Sequence, residues 1–254
     1  DEDLAADGFE GFCVSQFFPN HITLLVGSAS QFVYASDHAT LRRKGRMTDR
    51  QKARRAQLDR AYRPDSRALE LSFARTADEG LRVLSDGCRP TLRLWTDEHP
   101  AYPRAIRGSP CLAALLDLGR LRHLTVPSRA PRTRANPLFP VNYLDRELRK
   151  DLREHVRETV CFGRNVNRQM ERLSVYLWWH NFIKPHRARE GPRSHAEAAG
   201  YDGERIREGL RWIWLRRAWL SLTDLTWPML DSWLRSRRTP LRPGPDYLPR
   251  YASA

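Results

Sequence analysis

Thr91-Leu92-Arg93-Leu94-Trp95 reads as a β-strand that runs straight into Thr96-Asp97-Glu98-His99, so the strand delivers a carboxylate at its end. Its meaning depends on what surrounds it. Upstream lie three short β-rich segments: Leu4-Ala5-Ala6, ending in Asp7; Ile22-Thr23-Leu24-Leu25-Val26, stopping at Gly27; and Gln31-Phe32-Val33-Tyr34-Ala35. The tight connections between them predict an antiparallel meander. Ser66 can cap a helix with Leu69, Phe73, Ala77, Leu81 and Leu84 at helical spacing, ended by Gly87. Downstream come a short helix bearing Tyr102 and Ile106, a strand over Leu121–Val126, and a Pro/Arg-rich loop from Pro127 to Pro140. A long helix from about Val141 follows, with Val141, Leu144, Leu148, Leu152 and Val156 as one apolar stripe.

Three strands, helix, strand, helix, strand, helix is the order of an RNase H-like domain. The expected fold is α/β: an RNase H-like mixed five-stranded sheet flanked by helices, with a helical C-terminal extension. Residues 1–187 would form this domain, with a basic insertion at about 41–67, and 188–254 a Trp-rich helical extension with a Pro-rich tail from about Thr239. In such a sheet Asp7, at the end of the first strand, and Asp97, at the end of the fourth, come side by side. Paired carboxylates there suit Mg²⁺, a hard cation that prefers oxygen ligands. Paired ions serve in-line phosphoryl transfer.

The formal net charge is +14, which calls for a polyanionic partner. Lysine occurs only at Lys44, Lys52, Lys150 and Lys184, so arginine carries nearly all of the positive charge. Between 41 and 67 the bases face only Asp49, Asp59 and Asp65. Thr48 and Gln51 form a capping-box start for a charged helix there, ending before Pro64. Arg42, Arg43, Arg54 and Arg55 are the expected DNA contacts of this insertion; the alternative is a solvated surface helix. Cys13, Cys88, Cys111 and Cys161 lie far apart without a C-x-x-C pair, which argues for reduced thiols and against a zinc finger. No apolar run reaches the length of a membrane span, and a reducing cytoplasm is the expected compartment. The chain begins at Asp1 rather than Met, so a longer protein is expected.

Ala5-Ala6-Asp7-Gly8-Phe9-Glu10 and Thr96-Asp97-Glu98-His99-Pro100-Ala101-Tyr102 resemble the segments that carry the first two acids of DDE-type bacterial insertion-sequence transposases. Asn136-Pro137-Leu138-Phe139-Pro140-Val141-Asn142, continuing to Arg157-Glu158-Thr159, and Trp179-His180-Asn181-Phe182-Ile183-Lys184-Pro185-His186-Arg187 are similar to later motifs of that family. The resemblance spans about residues 4–190. It implies DNA cleavage and strand transfer at element ends, with Mg²⁺ or Mn²⁺ held by Asp7, Asp97 and a third ligand.

Asn142 takes the third position, seven residues before Arg149 and seventeen before Thr159, where the family carries Glu or, in some branches, Asn. Asp145, one helical turn on, is the rival ligand or else the i,i+4 partner of Arg149. Glu147 falls on the opposite face and reads as solvated. Arg149 joins the expected DNA contacts, with Arg157 and Thr159 as weaker phosphate candidates. His180 and Asn181, on an aromatic helix, read as core residues. The resemblance further implies a DNA-recognition region ahead of the core, DNA as partner and assembly of copies on DNA. An RNase H-like nuclease without joining activity, or an inactive transposase-derived DNA-binding protein, are the alternatives.

Overall fold

The computed structural model describes residues 2–84, 91–156, 159–187, 189, 191–216 and 237–242. Strands β1 (Leu4–Cys13), β2 (Ser15–Gly27) and β3 (Val33–Thr40) form the antiparallel meander, and β4 (Leu92–Asp97) and β5 (Leu121–Val126) add to it in parallel. The strand order β3-β2-β1-β4-β5 makes the mixed five-stranded sheet of an RNase H-like α/β fold. The meander strands outrun their apolar segments. Asn20, His21, Thr23, Asp37 and His38 are all buried within β2 and β3, and such polar residues hide a strand from a hydropathy pattern. Gln31 lies in the preceding turn with φ 56°, so β3 begins at Val33.

The helices are α1 (Asp49–Ala61), α2 (Ala68–Leu84), α3 (Ala101–Gly108), α4 (Pro110–Asp117), α5 (Phe139–Asp151), α6 (Val166–Phe182), α7 (His195–Ala198) and α8 (Gly203–Arg216). One sheet face, with Ala5, Phe9, Ile22 and Leu24, packs on Val141, Leu144 and Leu148 of α5 and Leu173 of α6. The other, with Leu4, Ala6, Leu25 and Leu94, packs on Phe73 of α2 and Tyr102 and Ile106 of α3. Each fully buried Leu, Ile or Phe contributes about 1.5–3 kcal/mol, so these two layers carry the fold. Thr48 and Gln51 close the expected capping box on α1. That helix buries only Leu58, which meets Phe17 and Phe18 near the start of β2 and Tyr62 at the helix's own end.

Two expectations about the long helix are corrected. It ends at Asp151; the chain turns at Leu152 (φ −116°, ψ 104°) into a short 3₁₀ turn, Arg153–His155, and Val156 is 39% exposed. The turn buries His155 edge-on against Phe9, with ring centroids 5.2 Å apart, which a straight helix could not do. Glu147 is buried, ion-paired with Lys184 beyond α6 and accepting the Tyr143 hydroxyl at 3.1 Å. Its partner lies 37 residues away, so helical periodicity alone put it in solvent.

His180 and Asn181 are core residues as expected, and Asn181 does more than fill space. Its Oδ1 accepts the Val33 N–H and its Nδ2 donates to the Val33 carbonyl, both at 2.9 Å, so one side chain stands in for a further strand on the edge of β3. Cys13 is buried and Cys111 and Cys161 are exposed; Gly87, Cys88, Arg157 and most of the Trp-rich extension lie outside the described residues. Among the described residues no helix is long and apolar enough to cross a membrane.

Asn181→Ala orphans two buried backbone groups and is expected to cost about 2 kcal/mol or more in urea denaturation; an unchanged midpoint would contradict the edge-capping role. Burial also holds five histidines neutral: His21, His155 and His180 are pushed down to about 4, His38 and His195 to about 3. Between about 6.5 and about 4 the unfolded chain takes up protons that the folded chain refuses. Stability therefore falls with falling pH, by at most about 1.4 kcal/mol per pH unit for each ring. Asp7, raised to about 6, acts in the opposite sense with a single proton. Thermal midpoints are expected to drop steadily as the pH is lowered from neutrality through this window; a rising midpoint would mean that these rings titrate normally.

Candidate functional site

β1 and β4 pair in parallel through Leu4↔Leu94 and Ala5↔Trp95, and the same register carried two residues on sets Asp7 abreast of Asp97. Asp97 is the last residue of β4, as expected. Asp7 is interior to β1, which continues to Cys13 against β2, because Phe9 and Cys13 still bury on the α5–α6 face. What ends near Asp7 is the pairing with β4, and the opening between the two strands is where the acids sit. Asp97 Oδ1 accepts the His99 N–H at 2.8 Å, a turn that stops the strand. Asp7 Oδ1 accepts the Gly8 N–H at 2.7 Å and the Tyr102 hydroxyl at 3.4 Å.

Burial raises the Asp7 pKa to about 6, and the charges of Asp97 and Asp145 push it the same way; the Gly8 N–H and Arg132 oppose them. Asp145 is itself raised by burial, against the pull of Arg149 and Arg132. Three carboxylates from β1, β4 and α5 thus share one electrostatic neighbourhood. Asn142, half-buried on α5, donates from Nδ2 to the Leu138 carbonyl at 2.9 Å, and its Oδ1 takes no hydrogen bond among the described residues. Asp145 and Arg149 form the expected i,i+4 pair at 3.0 Å.

Among the described residues no three His, Cys, Asp or Glu side chains converge as a metal-binding group. Asp7, Asp97 and the Asn142 carbonyl form a different set, two carboxylates and a neutral amide, all oxygen. A hard divalent cation suits such donors. Like charges that raise Asp7 are also what a bound cation would relieve.

The expected DNA contacts fare unevenly. Arg149 is spent within the fold: it pairs with Asp145, reaches the His155 and Glu10 carbonyls at 3.3 Å, and stacks over Phe9 at 5.5 Å. Arg42 binds Asp59 at 2.5 Å, Arg43 binds Gln16 and covers Phe17, Arg54 binds Gln57, and Arg55 donates to the Arg43 carbonyl. These four hold α1 together and against the β1–β2 hairpin. Arg46, Arg50, Arg60 and Arg63 of the same segment make no hydrogen bond or ion pair within the described residues. Thr159 accepts the Cys161 N–H through Oγ1.

Tyr102, Gly8, His21 and Arg132 belong to the site and were not singled out from sequence. A Cβ on residue 8 would sit 2.0 Å from His21 Nε2, so only glycine lets this ring lie over β1 beside Asp7. A glycine inside a strand marks such a close approach, and that was the available signal. Neither nitrogen of buried His21 has a partner in the described structure.

Asp145→Asn removes a negative charge beside Asp7, which lowers the Asp7 pKa. Carboxyl-carbon NMR titration is expected to show Asp7 moving back toward the ordinary Asp range in this variant and staying raised in Asn142→Ala. An Asp7 titration unmoved by Asp145→Asn would remove Asp145 from the site. No protein-family model and no curated protein matches this sequence, so the site rests on its own geometry.

Proposed function

We propose that this chain is the catalytic part of a DDE-type insertion-sequence transposase, cutting DNA at element ends and joining the cut strand to a target. The observation that carries the proposal is Asp7 abreast of Asp97 at the opening between β1 and β4, with oxygen donors on α5 beside them. Asp7, Asp97 and Asn142 would hold Mg²⁺ or Mn²⁺. Asn142 is favoured over Asp145 because its carbonyl oxygen is uncommitted, whereas Asp145 is paired with Arg149. When bound, such ions polarise the phosphate and activate a water or 3′-hydroxyl.

The protein's own groups prepare the place. The Gly8 N–H and Tyr102 hydroxyl hold the Asp7 carboxylate in one orientation. Arg132, which carries no hydrogen bond or ion pair in the described structure, lies close enough to Asp7 and Asp145 to oppose both shifts, and meets the charge of an incoming phosphate. The +14 excess supports DNA as partner, through phosphate contacts that do not depend on sequence. A bacterial cytoplasm and assembly of copies on DNA complete the proposal. A second reading, a DNA-binding descendant without cleavage, is favoured by uncharged Asn142 at the position of a third acid.

Asp7→Asn and Asp97→Asn are each expected to abolish Mg²⁺-dependent nicking of element-end DNA while changing DNA affinity by less than about threefold, since affinity rests on phosphate contacts. Nicking retained by either variant would overturn the site. Wild-type protein that binds DNA without nicking it would favour the second reading, and nicking without joined products would make the protein a nuclease.

A further inference from the structure

Two pairs of aromatic rings lie on α5 and α6; Tyr176 packs in part against the core, while Tyr143 and Trp179 are exposed. Phe139 and Tyr143 of α5 have centroids 5.8 Å apart; Tyr176 and Trp179 of α6 have centroids 5.5 Å apart. Tyr143 and Trp179 are each 37% exposed, large for aromatic side chains that burial would stabilise. Buried Glu147 joins the two pairs, since it accepts the Tyr143 hydroxyl and binds Lys184, whose ammonium lies 5.7 Å over the Trp179 ring. The Tyr176 hydroxyl donates to Asp151 at 2.7 Å. These bonds restrain the rings, so a flat ligand meets surfaces already held in place.

The charge around the rings identifies the ligand. Lys184 answers Glu147 and Lys150 answers Asp151 at 3.4 Å, which leaves both acids compensated. Arg134 and Arg146 act electrostatically on Tyr143 and make no hydrogen bond or ion pair within the described residues. Two exposed rings, Tyr143 and Trp179, backed by half-buried Phe139 and Tyr176 and flanked by uncommitted arginines on a chain of net charge +14, match stacked bases on a phosphate backbone and offer a neutral apolar partner no reason for the cations. Tyr143 directly follows Asn142 on α5, so a strand lying on the rings would run beside the helix that borders the acids. We infer that Phe139, Tyr143, Tyr176 and Trp179, with Arg134 and Arg146, form a platform for the unpaired bases of single-stranded nucleic acid. The direction of approach to the acids rests on the proposed cleavage function; the binding itself does not.

The test is fluorescence anisotropy with the full chain in EDTA, so that no cleavage occurs. The probes are a labelled oligothymidylate of about twelve nucleotides, within the usual site size, and an abasic strand of equal length. The base-bearing strand is expected to bind more tightly. Tyr143→Ala and Trp179→Ala should each weaken it about tenfold and leave the abasic strand unaffected, while Tyr143→Phe keeps the ring and the affinity. Arg146→Gln should weaken both strands and flatten the salt dependence. Equal binding of the two strands by the wild type, or undiminished oligothymidylate affinity in the double Ala variant, would overturn the platform. If the double variant instead loses self-association in sedimentation while keeping oligothymidylate affinity, the surface is a contact between copies and the proposal is wrong. Failure of the Asp7–Asp97 proposal appears only in the nicking assay, so the two outcomes are distinguishable.

Discussion

Leu4 beside Leu94 and Ala5 beside Trp95 fasten the second half of the sheet to the meander, and the site depends on that seam. Leu4, Ala5 and Leu94 are almost completely buried, so slipping the register by one residue would turn apolar side chains to the wrong layer. A one-residue slip would also part Asp7 from Asp97. The apolar packing that holds the register is therefore what holds two carboxylates together against their own repulsion. β5 continues the parallel arrangement from Leu92↔Leu121 to Asp97↔Val126, and the Glu98 carboxylate accepts the Ser128 N–H at 3.1 Å, tying the loop beyond β5 back to the end of β4.

The sheet carries an unusual load of buried polarity. Glu2 takes the Ala29 and Ser30 N–H groups together with the Ser30 and Tyr34 hydroxyls, closing the turn between β2 and β3. Asp37 on edge strand β3 lies buried between Arg75 and Arg237. Asn20, Gln169 and His155 form a hydrogen-bonded series between β2, α6 and the 3₁₀ turn. Such groups contribute little net energy when satisfied and are costly when broken, so they specify one arrangement of the edge more than they strengthen it. His180 and His195 follow the same logic: stacked with centroids 3.9 Å apart, they donate to the Gln31 and Ser30 carbonyls of the same turn.

Arginine serves two ends here, and the geometry separates them. Arg42, Arg43, Arg55 and Arg149 are spent on intramolecular partners, their planar forks matched to carboxylate and carbonyl oxygens. Arg46, Arg50, Arg60 and Arg63 near α1, Arg132 near the acids and Arg134 near Tyr143 keep their donors. Charge density along a sequence measures the sum of both groups and cannot divide them.

Element order, the five-strand sheet, the Thr48–Gln51 cap, Asp97 at the end of β4 and the Asp145–Arg149 pair were legible in the sequence. Each is written in local patterns of two to four residues, the scale on which backbone geometry repeats. The full lengths of β1 to β3, the end of α5 at Asp151, the burial of Glu147 against Lys184 and the commitment of Arg149 to the protein interior were decided by tertiary structure alone. So was the approach of Tyr102 and His21 to Asp7 and Gly8. In each case the deciding partner is remote in sequence, and the energy of a buried polar contact depends on a distance in space that no local periodicity encodes.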